Sequence, residues 1–332
     1  MAPDVGHLEG RTVLVTGGAG FFGRAFVEAV LDHTTEAKLV VYNRDEAKQA
    51  RLAERLRRHA DRLRFRLGDV RDPERLRLAF WNADVVVHAA ALKRVDDTAR
   101  HTFEMIKTNV LGTQAVLGAA LEAGVERTLI LSSDKACHAA NPYGASKFLA
   151  ERLAVEWNAL SFARGQKVAC VRWGNVLGST GSVLHTFRRA LRAGEPMPMT
   201  DPAMTRFWMT VEEAVAFACR ALRLMRGGEV FLPKLRTAPV MRLVQALDAG
   251  RQCEPIGHRP GGEKRHETLL TVEECPQAVD IGEAIVLEPA WRLPVEREPW
   301  KGEPVAAPWT SEGLLGIGIE ELAQMAAQVP DE

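Results

Sequence analysis

Ser133, Asp134 and Lys135 stand side by side, and Tyr143 and Lys147 follow a few residues later. One short stretch therefore holds a hydroxyl, a carboxylate, an amine that can serve as a base, and a tyrosine with a lysine one helical turn behind it. Residues four apart share a helix face, so the Lys147 ammonium can stand close enough to stabilise a Tyr143 phenolate. A phenol that titrates near about 10 in water then becomes a usable base near neutral pH. Removing a proton from a substrate alcohol while hydride leaves its carbon needs this set of groups. Tyr-x-x-x-Lys by itself equally describes a surface helix with a half-buried tyrosine, so its surroundings decide.

Those surroundings are ordered. The run 127–132 (Arg-Thr-Leu-Ile-Leu-Ser) reads as a buried parallel strand. A loop with Asp134 and Lys135 follows, and Asn141-Pro142 opens a helical pattern to about Phe162. Strand end, loop and helix start are where open α/β sheets place their chemistry.

The chain start supplies a cofactor site. The apolar run 11–16 leads into a strand-to-helix turn with Gly17, Gly20, Phe21, Phe22 and Gly23, before an amphipathic stretch over 22–31. Glycines there permit a tight turn and let backbone N–H groups approach a pyrophosphate at the helix N-terminus. A second strand, 38–42, ends in Asn43-Arg44, where NAD enzymes usually carry an acid for the ribose 2′-hydroxyl. An amide and a guanidinium suit a 2′-phosphate better, so NADP is expected ahead of NAD. The competing reading is that Arg44 merely begins the charge-rich helix over 45–59.

Further strand ends point at the same cleft. The strand 63–67 leads to Asp69 and Val70, with Asp69 placed to meet an adenine amino group. The strand 84–88 leads to Ala89, Ala90 and Ala91, small enough for a cofactor to lie against the backbone, with Lys93 just beyond. Asn109 lies in a helix beginning near Arg100; it is either an ordinary surface amide or, as its apolar setting favours, a hydrogen-bonding group near the site, and it is assigned to the cofactor-binding set.

Composition sets limits. At 332 residues the chain can bury a full core and is expected to hold a large domain and a smaller one. Lys+Arg and Asp+Glu are each 43, a balance that argues against general nucleic-acid binding. Cys137, Cys170, Cys219, Cys253 and Cys275 show no metal-ligand spacing, so no metal is expected. Their odd, dispersed count and the lack of a signal or membrane run fit a reducing cytoplasm. About six strand–helix alternations reach 167–172, which predicts an α/β fold with a doubly wound parallel sheet. Beyond them Pro and Gly become frequent, suggesting a smaller mixed α/β lobe over the strand ends. Residues 1–175 with 205–235 are assigned to the dinucleotide-binding domain, and 176–204 with 236–332 to the lobe.

Thr16-Gly-Gly-Ala-Gly-Phe-Phe-Gly23, His88-Ala-Ala-Ala-Leu-Lys93, Ser133-Asp-Lys135 and Tyr143-x-x-x-Lys147 together resemble the extended short-chain dehydrogenase/reductases. Narrower motifs are similar to the C5-inverting UDP-N-acetylglucosamine 4,6-dehydratases of pseudaminic acid biosynthesis. They are Arg172-Trp-Gly-Asn175-Val-Leu-Gly-Ser-x-Gly-Ser-Val183, the run from Thr200 through Met204-Thr-Arg206-Phe-Trp208 to Thr210, and Arg259-Pro-Gly-Gly-Glu263-Lys-x-His-Glu267.

The resemblance implies a mechanism. Tyr143, supported by Lys147, takes the C4 hydroxyl proton as hydride passes to NADP+, with Ser133 on the C4 oxygen. Lys135 removes the C5 proton and Asp134 protonates the departing C6 hydroxyl. Hydride returns to C6, and C5 is reprotonated on the opposite face to give UDP-2-acetamido-2,6-dideoxy-β-L-arabino-hexos-4-ulose. Asp-Glu is the usual pair in enzymes that retain C5, so Lys135 is the residue that argues for inversion. A lysine base must be neutral, however, and the adjacent Asp134 favours its charged form.

The resemblance also implies a UDP-sugar as substrate, with Asn175 and Arg259 on the diphosphate and sugar, Glu263 at the ribose, and Lys93, Val183 and Arg206 along the substrate site. An ion pair of purely structural purpose is the competing reading for each arginine. Gly261-Gly262 inserts one residue into the family pattern Arg-Pro-Gly-Glu-Lys and leaves the register of Glu263 and Lys264 open. A homo-oligomer, dimer or hexamer, built partly on paired helices is implied as well. A retaining 4,6-dehydratase, a 5,6-dehydratase, a UDP-sugar 4-epimerase and a non-catalytic NADP-binding module remain alternatives. No function is assigned to 289–308.

Overall fold

The computed structural model describes residues 3–93, 100–257, 261–289, 298–313 and 316–331. Six stretches, all mainly apolar except the alternating Leu63-Arg-Phe-Arg-Leu67, form parallel strands: β1 (Thr12–Thr16), β2 (Lys38–Asn43), β3 (Leu63–Leu67), β4 (Val85–His88), β5 (Arg127–Ser133) and β6 (Lys167–Trp173). They lie in the order β3-β2-β1-β4-β5-β6, and Val230–Leu232 pairs in parallel with β6. Strand order reverses between β1 and β4, which opens a crevice at their carboxyl ends. Helices cover both faces of the sheet. Phe26, Val27 and Val30 pack with the Val211–Leu224 helix on one side, and Val70, Leu76, Phe80 and Val116 form a core on the other.

Local sequence explains where the helices begin. Asn141 caps Pro142–Phe162 by accepting from Gly144 N at 2.9 Å, and Pro142 occupies the position where a missing N–H costs nothing. Asp45 and Asp72 cap the next helices after β2 and β3 in the same manner, and Thr210 and Glu213 form a reciprocal capping box.

The sheet runs further than expected. Ile285–Leu287, Ala278–Asp280 and Glu303–Pro304 continue it as antiparallel strands beyond Val230–Leu232. Part of the stretch assigned wholly to the lobe thus extends the main sheet. Short strands over 278–287 carry too little periodicity to be read locally, and burial of Ile285, Val286 and Leu287 against the neighbouring core fixes them. A second core, with Leu184, Phe187, Met204, Trp208, Leu243 and Leu322, is built by the Val183–Ala193, Val240–Leu247 and Ile319–Ala327 helices and the strands Thr205–Met209 and Arg236–Pro239. Among the described residues no helix is long and apolar enough to cross a membrane.

Candidate active site

A groove of about 750 Å³ lies over the carboxyl ends of the strands, between the sheet and the second core. Its dinucleotide end is shaped by backbone. Gly17 has φ +69°, and a Cβ there would sit 2.8 Å from Ala90 N; a Cβ on Gly23 would sit 2.5 Å from Gly17 O. Only glycine allows this turn to close against Ala89 and Ala90, and the cradle fits a pyrophosphate. Gly20, Phe21, Phe22, Ala91, Lys93, Asn43, Arg44, Asp69 and Val70 line the same groove. Phe22 also packs on Trp173, ring centroids 5.3 Å apart.

At the adenosine end the carboxylate of Asp69 is engaged by Arg71 at 2.7 and 3.0 Å, with Arg44 at 3.5 Å. Burial works against its charge, but Arg71 outweighs this and holds Asp69 below the usual carboxylate range. Asn43 Oδ1 accepts from Asp45 N at 3.1 Å and so braces the turn into the next helix.

Asn109 does not line the groove. It is 1 % exposed, and its amide accepts from Leu92 N at 2.8 Å and donates to Leu92 O at 2.8 Å and Ser146 Oγ at 3.0 Å. A π-helical turn over Ile106–Leu111 carries it, one residue wider than an α-turn. The expected cofactor contact becomes a bracket that holds the loop after β4. Behind it, Thr113 donates to Asn109 O at 2.6 Å and therefore accepts from His88 Nε2 at 3.0 Å. His88 Nδ1 is left to accept from Thr16 at 2.7 Å. Burial, with Lys147 adding to it, lowers His88 to about 3 and keeps it neutral.

The catalytic candidates meet where β5 ends. Ser133, Lys135, Tyr143 and Lys147 line the groove, and Asp134 lies one layer behind with no exposed surface. Asp134 Oδ1 accepts from Ser133 Oγ at 2.9 Å and Lys135 Nζ at 3.1 Å; its Oδ2 has no hydrogen-bond partner. Burial accordingly pushes the Asp134 pKa up, against the pull of Lys135. Burial also pushes Tyr143 up to about 12, while the Lys135 charge and a hydrogen bond with Ser133 work the other way. Lys147 turns its ammonium to Leu131 O at 2.8 Å, and burial lowers it to about 8. In this arrangement Lys135 is the cation that acts on Tyr143.

Lys135 has company that the sequence reading did not assign. Nζ donates to Asn175 Oδ1 at 3.0 Å and stands 3.4 Å from Glu267. Asn175, expected on the diphosphate, instead presents its amide oxygen to the base. Glu267 is paired with Lys264 at 2.8 Å and faces Arg206 at 3.9 Å. Burial opposes the Lys135 charge, but Asp134 and Glu267 outweigh it and hold the ammonium above its ordinary pKa. Burial also opposes the Glu267 charge, and Lys135, Lys264 and Arg206 outweigh it to hold that pKa at about 2.

Arg206, 6 % exposed, donates to Thr205 O at 2.7 Å and Arg265 O at 3.1 Å, and it lines the groove with Val183 and Glu263. Lys264 Nζ reaches Cys137 O at 2.7 Å, so the lobe grips the Asp134–Ala136 turn. Gly262 has φ +83° and accepts from Asn141 Nδ2 at 2.9 Å; a Cβ on it would meet Ala140 O at 2.6 Å. The inserted glycine pair is thus seated against the catalytic helix start. Arg259 lies outside the described residues. The signal that could have found Glu267 is its i+3 spacing from Lys264 in one charged motif.

A Rossmann-type sheet, a glycine-closed turn and a Tyr-x-x-x-Lys helix on one groove are the marks of the extended short-chain dehydrogenase/reductase class. The chain belongs to the polysaccharide biosynthesis protein family, whose model matches residues 13–289. It is 36% identical over 285 residues to a UDP-N-acetylglucosamine 4,6-dehydratase (inverting) of Campylobacter jejuni, covering 86% of this chain and 84% of that one. It is also 37% identical over 280 residues to a UDP-glucose 4-epimerase of Rickettsia felis, covering 82% and 81%. Among solved structures, Pen from Bacillus thuringiensis superposes with a TM-score of 0.88 at 30% identity, covering 96% of this chain and 99% of that one. A dTDP-glucose 4,6-dehydratase double mutant from Streptomyces venezuelae, with NAD and DAU bound, superposes with a TM-score of 0.65 at 25% identity, covering 76% and 86%.

Proposed function

We propose that the protein is an NADP-dependent UDP-N-acetylglucosamine 4,6-dehydratase that inverts C5. The observation that carries this reading is the Asp134–Lys135 pair beside Tyr143 at one groove wall. An alcohol oxidation alone needs Tyr143 and Lys147; an amine held against a buried carboxylic group serves elimination next to a ketone. The Campylobacter relative's name agrees with it.

A bound NADP supplies the hydride acceptor and donor, and the Gly17–Gly23 turn, Ala89, Ala90 and Arg44 are the residues that hold it. Arg44, with Arg71 occupying the Asp69 carboxylate, favours a 2′-phosphate over a bare ribose. Tyr143, as the phenolate that the nearby Lys135 charge favours, takes the C4 hydroxyl proton, and Lys135, as the neutral amine, takes the C5 proton. Asp134, whose burial favours its protonated form, is the proton store for the departing C6 hydroxyl, and Ser133 Oγ carries that proton to the groove. Ser133 also acts on Tyr143, and through its hydroxyl the proton taken from C4 returns to Asp134. Lys135, whose ammonium protons exchange with solvent, returns a proton to the opposite face of C5. Every group then ends the turnover as it began, with one water released.

Asn175, Arg206 and Glu263 lie on the sugar-nucleotide side of the groove. A homo-oligomer is part of the reading, supported by Phe103, Ile106, Leu111, Phe148, Leu149 and Leu160, exposed on the paired helices before β5 and after it.

Incubation with UDP-N-acetylglucosamine in D2O, followed by proton NMR, tests the proposal. A 4-keto-6-deoxy sugar with deuterium at C5 and L-arabino couplings is expected. A D-xylo product would overturn inversion, and a product of unchanged mass would favour the 4-epimerase reading that the Rickettsia relatives support.

A further inference from the structure

Lys135 enters the groove inside a ring of polar groups drawn from distant parts of the chain. Asp134 comes from its own turn at 3.1 Å, and Asn175, a neutral group, follows β6 at 3.0 Å. Glu267 reaches in from the lobe at 3.4 Å, just before the Thr268–Leu270 strand. Arg206 and Lys264 also face Glu267, and Tyr143, on the Pro142–Phe162 helix, is a further titratable neighbour among the described residues. The two carboxylates differ in kind. Asp134 has an unpartnered Oδ2 and no exposed surface, which favours its protonated form. Glu267 is 2 % exposed but surrounded by cations, which keeps it an anion.

We propose that Glu267 is a positioning residue that decides where the proton shared by Lys135 and Asp134 resides. The proposal rests on the dehydratase reading above. The transfer crosses the 3.1 Å contact: an N–H bond of the Lys135 ammonium breaks and an O–H bond forms on Asp134 Oδ1. Amine and carboxylic acid are both neutral afterwards, the pair's net charge is unchanged, and no other reactant is needed. This one step arms both groups, giving a base for C5 and an acid for the C6 hydroxyl. Burial of Asp134 draws the proton to the carboxylate, and Glu267 draws it back to the amine. The lobe therefore controls a base that the sheet domain carries.

The test compares wild-type protein with Glu267→Gln and Glu267→Asp by brief acetic anhydride labelling without substrate, read by peptide mass spectrometry. Lysine amines react only when neutral. An opposite charge this close is worth about one to three pH units, so Lys135 labelling at fixed alkaline pH should rise about tenfold or more in Glu267→Gln, relative to the surface Lys38. Glu267→Asp, which only retracts the carboxylate, should give a smaller rise and covers the case in which Glu267→Gln folds poorly. Equal Lys135 labelling in all folded variants would overturn the proposal. A second reading follows C5–H exchange of the 4-keto product in D2O against pH. In Glu267→Gln the profile should shift to lower pH; a lowered rate with an unmoved profile would mark a merely structural role and overturn it. Lack of turnover in the wild type would sink the dehydratase reading, while the labelling result would still judge Glu267.

Discussion

Asn109 Nδ2 donates to Ser146 Oγ at 3.0 Å, and that hydroxyl in turn donates to the Tyr143 carbonyl at 2.7 Å. One buried amide thereby connects the loop after β4 with the first turn of the Tyr143 helix. Asn109→Leu should leave Leu92 N–H and C=O and Ser146 without this partner. Each buried polar group left unsatisfied costs about 1–3 kcal/mol, so a loss of at least about 2 kcal/mol is expected in urea unfolding. NADPH affinity, measured by fluorescence titration, should weaken with it, because the loop that faces the cofactor loses its bracket.

The proposed preference for NADP rests on Arg44. Arg44→Asp replaces a cation with the acid that suits a ribose 2′-hydroxyl. Binding should shift from NADP towards NAD by about tenfold or more, equivalent to about 1.4 kcal/mol. Titrating each dinucleotide separately checks this, and an unchanged preference would place the 2′-phosphate contact elsewhere.

Arg172 should be the most costly single position away from the groove. It is fully buried and bonds Glu151 at 2.6 and 2.9 Å, Glu274 at 2.8 Å on each of two nitrogens, and Leu269 O at 2.9 Å. Arg172→Met strands two carboxylates and is expected to lose about 3–5 kcal/mol. Glu151→Gln added to it should recover part of that loss, measured by denaturant unfolding. A loss below about 1 kcal/mol would mean the cluster relaxes to water.

Stability should fall as pH drops from about 6.5. His88 moves from an ordinary value of 6.5 to about 3 in the folded chain because burial disfavours its cation. Between those values the unfolded chain binds the extra proton, so stability rises with pH there and is lost on acidification. The limiting slope for this one group is about 1.4 kcal/mol per pH unit. His7, lowered to about 4, adds to it in the same direction. Asp134, raised by burial, bears on stability with the opposite sign, so the His88 share is read from urea midpoints between pH 6.5 and 5 in wild type against His88→Asn. His88→Asn should flatten the slope.

Sequence made the sheet legible because β1 to β6 are local, mainly apolar runs with turn residues between them. Gly17, Gly23 and the Tyr143–Lys147 pair were readable for the same reason: their roles depend on neighbours a few residues away. Glu267 was not, since it meets Lys135 only after the lobe folds back across more than a hundred residues. Asn109 was misplaced by helix type, as a π-turn swings inward a side chain that an α-helical reading leaves undetermined. Asn175 was assigned to substrate by motif, and only the rotamer seen here turns it to Lys135.

Asn141 spends its carboxamide oxygen on the Gly144 N–H and its amino group on Gly262 O. A loop from a distant part of the chain is thus spliced into the first turn of the Tyr143 helix. Grafting the one-residue-shorter loop of a relative onto this scaffold would move that carbonyl and unfasten the cap. Attempts to retune sugar preference by exchanging loops must therefore transplant residues 139–144 together with 257–264, as a single cassette.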